Sequence, residues 1–151
     1  MDIRLDDLSD PRMIALIELH TTNMASISPP ESCHALAIDA LRSPKIRLWG
    51  AWDGEELMGC GALKELDPEH AEIKSMRTAE KYLKQGVAAA LLDHLIAEAR
   101  QSGYRRLSLE TGTQAEFKPA EMLYRKFGFE VCGPFADYVL GPLSLFMTRS
   151  L

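Results

Sequence analysis

The chain has no apolar run that approaches the roughly 20 residues needed to cross a bilayer, so no membrane partner is expected. Its first ten residues, MDIRLDDLSD, are acidic and hold no apolar centre of a secretion signal, which makes a cytoplasmic location the expectation. Cysteine is scarce: Cys33, Cys60 and Cys132 are scattered, odd in number and free of any CxxC or Cys/His cluster. That pattern excludes a disulfide framework and a structural zinc site, and His34 and His70 offer no ligand spacing, so no metal is expected. Basic charge is not in excess. The net charge of −5 argues against a nucleic-acid backbone as the main partner. The GK[ST] of a P-loop is missing. Repeats, linkers and low-complexity stretches are also absent, so residues 1–151 read as one domain.

What is present is a globular composition, 46% hydrophobic and 26% charged. Ile3 and Leu5 suggest a first strand. Asp10-Pro11 supplies an N-cap and a proline at the first helical position, followed by Met13, Ile14, Leu16, Ile17 and His20 at helical spacing. Ser28 to Glu31 reads as a capping box for a second helix carrying Ala35, Leu36, Ile38 and Leu41. Ile46 to Trp52 and Glu56 to Leu63 are strand-like and joined at Asp53-Gly54, a hairpin signal. His70 to Thr78 is a further strand. Val87 to Arg100 is the strongest helix, with Val87, Ala90, Leu91, His94 and Leu95 on one face and Gly103 past its end. Leu107, Leu109 and Thr111 alternate with polar residues. Lys118-Pro119 opens a short helix that Gly128 stops, and Phe129 to Gly133 and Leu143 to Thr148 close the chain as strands. This order, with hairpins around a single βαβ crossover, predicts an α/β mixed sheet with helices on both faces rather than a Rossmann domain with repeated crossovers.

The segment Tyr82 to Ala88 lies between a strand and the strongest helix. Gly86 there lets backbone N–H groups approach an anion, and the helix start adds free donors and the positive end of its dipole. The run from Glu72 to Thr78, followed by Tyr82-Leu83-Lys84-Gln85-Gly86-Val87-Ala88, resembles the acyl-CoA motif Arg/Gln-x-x-Gly-x-Gly/Ala of the GCN5-related N-acetyltransferase (GNAT) family. Ala120 to Phe129 is similar to the family's A-x-x-L-Y-x-x-x-G-F helix, at the matching distance. The two motifs in this order extend the resemblance to nearly the whole chain. It implies a GNAT-like acyl-CoA N-acyltransferase fold: a mixed, mostly antiparallel sheet of about seven strands flanked by about four helices. The final segment, Cys132 to Thr148, resembles a bacterial subgroup of the family. Two positions depart from the pattern: Leu83 stands where Arg or Gln is usual, and Phe117 where an Asn that touches CoA is common.

The implied activity is transfer of acetyl from acetyl-CoA, as co-substrate, to a primary amine, expected to be that of a small molecule, by direct attack in a ternary complex. A protein or peptide acceptor, or a non-catalytic acyl-CoA-binding module, are the alternatives. The resemblance assigns cofactor contacts to Met76, Arg77, Thr78, Leu83, Lys84, Gln85, Gly86, Val87, Ala88 and Phe117, with Lys81 and Lys84 near the phosphates. A backbone N–H near Met76 would polarise the thioester carbonyl, in strands splayed to admit the pantetheine like an added strand. Tyr124 is the expected general acid, since a phenol keeps its proton at neutral pH. Glu72 is the expected general base, with Glu110 and Tyr138 as further contributors. His20 lies where it could line an acceptor pocket, and His94 reads as structural. Strand alternation puts Lys74 on the face of Glu72 and Met76, and either Lys74 or Arg77 could hold a carboxylate on the acceptor. The loop from Gly133 to Pro142 would cap the acceptor side, and the resemblance also implies a homodimer.

Overall fold

The computed structural model describes residues 1–27 and 37–151. Seven strands form one sheet: β1 (Asp2–Asp6), β2 (Ile46–Asp53), β3 (Glu56–Asp67), β4 (His70–Thr78), β5 (Arg106–Gly112), β6 (Glu130–Cys132) and β7 (Ser144–Ser150). Their spatial order is β1-β2-β3-β4-β5-β7-β6. Every neighbouring pair is antiparallel except β4 and β5, which are parallel because helix α3 (Val87–Gln101) crosses between them. The expected mixed, mostly antiparallel sheet is the one observed. The last strand, β7, inserts between β5 and β6, which leaves the three-residue β6 as an edge too short to invite further pairing.

The helices lie on both faces of the sheet. Helix α1 (Pro11–Ile27) starts where the sequence places it, with the Asp10 carboxylate accepting the Arg12 N–H at 2.9 Å. Its residues Met13, Leu16 and Ile17 pack with Leu41, Leu48, Cys60 and Ala62. The capping box from Ser28 to Glu31, with Ala35 and Leu36, falls outside the described residues. Within them, α2 covers only Ile38–Leu41. The opposite face carries α3 and α4 (Lys118–Lys126), where Leu92, Leu95, Ile96, Ala99 and Tyr124 pack on Leu63, Ile73, Leu107 and Leu109. Adjacent residues such as Ala62 and Leu63 thus serve opposite cores, as period-two strands require. No helix among the described residues is long and apolar enough to cross a membrane.

Two local expectations need correcting. The β2–β3 turn is centred one residue later, on Gly54 (φ +59°) and Glu55, because Asp53 still pairs with Glu56. His94 does not share the buried face of α3. Leu92, Ile96 and Ala99 take that face, and His94 is rotated to its edge, where its ring meets Trp49 edge-on at 5.5 Å.

Helix α3 carries the packing that holds β4 in place, with each buried aliphatic side chain contributing about 1.5–3 kcal/mol. Leu95→Ala is expected to lower the unfolding free energy by about 2–5 kcal/mol. Asp93→Ala, on the exposed side of the same helix, should change it by about 0.5 kcal/mol or less. Urea denaturation checks both values, and equal losses would contradict this orientation of α3.

Candidate active site

Strands β4 and β5 pair only from His70↔Arg106 to Ile73↔Leu109. Beyond that point β4 runs on to Thr78 and β5 to Gly112 without a ladder between them. The other edge of β4 stays paired with β3, through Arg77↔Cys60 and Thr78↔Gly59. The sheet is therefore split at its centre, and the β4 backbone presents an unpaired edge to the gap.

A β-bulge accompanies the split. The β3–β4 register steps from Cys60↔Arg77 to Ala62↔Lys74, so Gly61 alone faces both Ser75 and Met76. Ser75 adopts φ +56°, and its carbonyl accepts from the Cys60 thiol at 3.2 Å. Burial pushes that thiol up to about 12, which keeps its proton available for the bond. The bulge overturns the expected alternation. Glu72 and Lys74 share a face, but Met76 turns to the opposite side and packs with the α3 core. Arg77 turns the other way, toward α1, where the Asn23 side-chain oxygen accepts from its guanidinium. Lys74 and Arg77, an odd number of residues apart, consequently both act on His20.

A cavity of about 190 Å³ occupies the split. On one side it meets Phe117, Ala120 and Tyr124, and on the other His20, Met24 and Lys74, with Glu72 and Glu110 lining it from the two strands. Tyr124 is buried, and desolvation pushes its phenol up to about 12. Phe117 packs its ring onto the backbone at Gly112. A Cβ at Gly112 would come within 2.2 Å of that ring, so only glycine fits there.

Glu72 is 1% exposed and forms a small network. The Tyr138 hydroxyl donates to its Oε2 at 2.7 Å, the Lys74 Nζ donates to Tyr138 at 2.6 Å, and Lys74 and Glu72 are 3.5 Å apart. The buried charges are thus paired and hydrogen-bonded, as burial requires. Burial first, and Glu72 second, raise the pKa of the Tyr138 phenol. Phe135 stacks edge-on with Tyr138 (5.2 Å) and Phe146 (5.7 Å), which fastens the loop after β6 over the Glu72 side of the cavity. His20 is buried, and desolvation, followed by Arg77 and Lys74, lowers its pKa to about 4.

A second feature is the turn that precedes α3. Gly86 caps that helix with φ +84°, and Lys84 also has a positive φ of 62°. The N–H groups from Lys84 to Ala88 meet no backbone acceptor among the described residues. Such donors, with the α3 dipole behind them, can receive an anion without the help of any side chain. The Val87 side chain is buried, so only its backbone is available, and Leu83 is exposed. Lys81 forms an exposed ion pair, with its Nζ 2.9 Å from Glu56. Among the described residues no three His, Cys, Asp or Glu side chains converge as metal ligands. The split thus gathers Glu72, Met76, Arg77, Phe117 and Tyr124, while the donors from Lys84 to Ala88 sit at the turn before α3 and Thr78 at the end of β4. The bulge and the bond from Asn23 to Arg77 escaped sequence reasoning, since serine gives no signal for a positive φ.

Residues 13–129 match the sequence profile described as the acetyltransferase (GNAT) family. The chain is 54% identical over 151 residues, all of both chains, to the uncharacterized N-acetyltransferase YsnE of Bacillus subtilis. It is 50% identical to the uncharacterized N-acetyltransferase YedL of Escherichia coli, over 99% of this chain and 94% of that one. A solved GNAT family acetyltransferase from Elizabethkingia anophelis with acetyl-CoA bound superposes with a TM-score of 0.71 at 22% identity, covering 99% and 97% of the two chains.

The depressed basicity of His20 has a signed consequence for stability. Above pH 6.5 the imidazole is neutral in both states and adds no pH dependence. As pH falls from 6.5 toward about 4, the unfolded chain takes up a proton that the folded one refuses, and stability is lost. The full interval is worth on the order of 3 kcal/mol. His20→Gln should flatten this limb in denaturation curves taken across that range. A limb that stays unchanged in the variant would show that His20 is not held neutral.

Proposed function

Since the chain belongs to the acetyltransferase (GNAT) family and is an acetyl-CoA-dependent N-acetyltransferase, we propose that its acceptor is the primary amine of a small molecule, attacked directly within a ternary complex. The observation that carries this reading is the cavity through the β4–β5 split, which reaches Tyr124 on one side of the sheet and His20 on the other. Two substrates entering from opposite faces meet inside it. Its volume of about 190 Å³ and the loop fastened over it by Phe135 and Tyr138 favour a small acceptor over a peptide. Among the described residues neither Cys60 nor Cys132 lines it, which favours direct attack over an acetyl intermediate on either thiol.

The donors from Lys84 to Ala88 would hold the pyrophosphate, and the unpaired edge of β4 would pair with the amides of the pantetheine arm. A β4 N–H near Met76 would polarise the thioester carbonyl. The acceptor nitrogen attacks the carbonyl carbon, the C–N bond forms and the C–S bond breaks. Tyr124, protonated at neutral pH, gives its proton to the departing thiolate. The proton lost by the amine passes through water toward Glu72, whose carboxylate already accepts from Tyr138. The products are an acetamide and CoA thiol, and water restores the Tyr124 proton.

Tyr124→Phe should lower kcat by about 100-fold, the usual scale for a positioned proton donor. Acetyl-CoA affinity measured by calorimetry should stay within about threefold, since the ring and its packing remain. Unchanged turnover in the variant would remove Tyr124 from the role of acid.

A further inference from the structure

We propose that the acceptor carries a carboxylate beside its amine, as an amino acid does, and that Arg77, Lys74 and His20 receive this carboxylate on the α1 side of the split. The inference rests on the acetyl-transfer reading and names the acceptor class for the same site.

Four observations lead there. The bulge at Ser75 places Lys74 and Arg77 on one face, although a regular strand would send them to opposite faces. The Asn23 oxygen, accepting from both terminal nitrogens of Arg77, one at 3.2 Å, holds the guanidinium toward α1. His20, 8% exposed, lines the same cavity, and its Nδ1 has no hydrogen-bond partner among the described residues. Among the described residues the charged groups that act on His20 are Arg77 and Lys74, both cations, with Lys74 also paired to Glu72. A buried polar nitrogen beside two cations suits an anion, which would meet the guanidinium and a protonated imidazole as hydrogen-bond donors. Glu72 and Glu110 also line the cavity, so acidic and basic side chains are both present, two of each. Glu72 lies on the face of Lys74 and 3.5 Å from it, so a zwitterion can set its carboxylate against Arg77 and His20 and its ammonium against Glu72. Cationic acceptors without an acid group would face Arg77 with like charge.

The test uses the full chain with acetyl-CoA and thiol-release detection. It compares L-α-amino acids with the amides and the decarboxylated amines of the same side chains. The expected result is a kcat/KM about 30-fold or more higher for the acids, the scale of leaving a buried charged group unpaired. Arg77→Gln should raise KM for the acids and shrink that preference by about tenfold. In parallel, NMR titration of His20 with CoA and each panel amino acid reads the subsite without turnover. Proton affinity of the imidazole should rise about tenfold or more when a carboxylate docks. Equal or better turnover of the neutral and decarboxylated amines overturns this assignment and leaves the acetyl-transfer reading standing. A His20 response to the acids with no turnover of any amine upholds the subsite and removes small-amine acetylation. No His20 response and no preference overturns the subsite.

Discussion

The parting of β4 from β5 after Ile73 and Leu109 is the constraint on which the rest of the site depends. A parallel pair that stopped hydrogen bonding in mid-sheet would ordinarily be costly, because backbone donors and acceptors in an interior position need partners. Here the cost is limited by what surrounds the gap. The outer edge of β4 remains paired with β3, the bulge at Ser75 is pinned by the Cys60 thiol, and α3 lies across β3 and β4 from the turn at Gly86. In the proposed reading this unpaired edge docks an extended chain of amides, which is what a pantetheine arm provides.

The same bulge organises the charges. A one-residue insertion in register changes which side chains share a face. It removes Met76 from the face of Glu72 and Lys74 and brings Arg77 toward α1. Glu72, Lys74 and Tyr138 close into a buried, hydrogen-bonded network on the α1 face, and on the same face burial, Arg77 and Lys74 hold His20 neutral. Tyr124 needs none of this network. Its proton is held by burial alone, whereas the Tyr138 phenol keeps its proton through burial and the neighbouring Glu72.

The features legible in the sequence were those written in local periodicity or turn chemistry. The amphipathic repeat of α3, the alternation of β5, the Asp10-Pro11 start and the glycine before α3 each require only neighbouring residues to be read. Tyr124 and the donors from Lys84 to Ala88 followed from motifs of the same local kind. What stayed hidden depends on partners distant in sequence. The positive φ of Ser75 follows from how β3 and β4 pair, not from the preference of serine. His94 reads as core by spacing, and only the Trp49 ring beside it shows why it sits at the edge. Lys81 meets Glu56 across the sheet end, and Tyr138 reaches Glu72 from a loop with no periodic signal.

Amide hydrogen exchange of the full chain, with and without saturating acetyl-CoA, tests the split most directly. Slowed exchange confined to two segments, 75–78 on the free edge of β4 and 84–88 at the turn before α3, is the predicted result. It would place the pantetheine along β4 and the pyrophosphate on the N–H donors of that turn. Protection elsewhere on the sheet, with these two segments unchanged, would contradict the account, because the opening between β4 and β5 would then not be where the acyl donor lies.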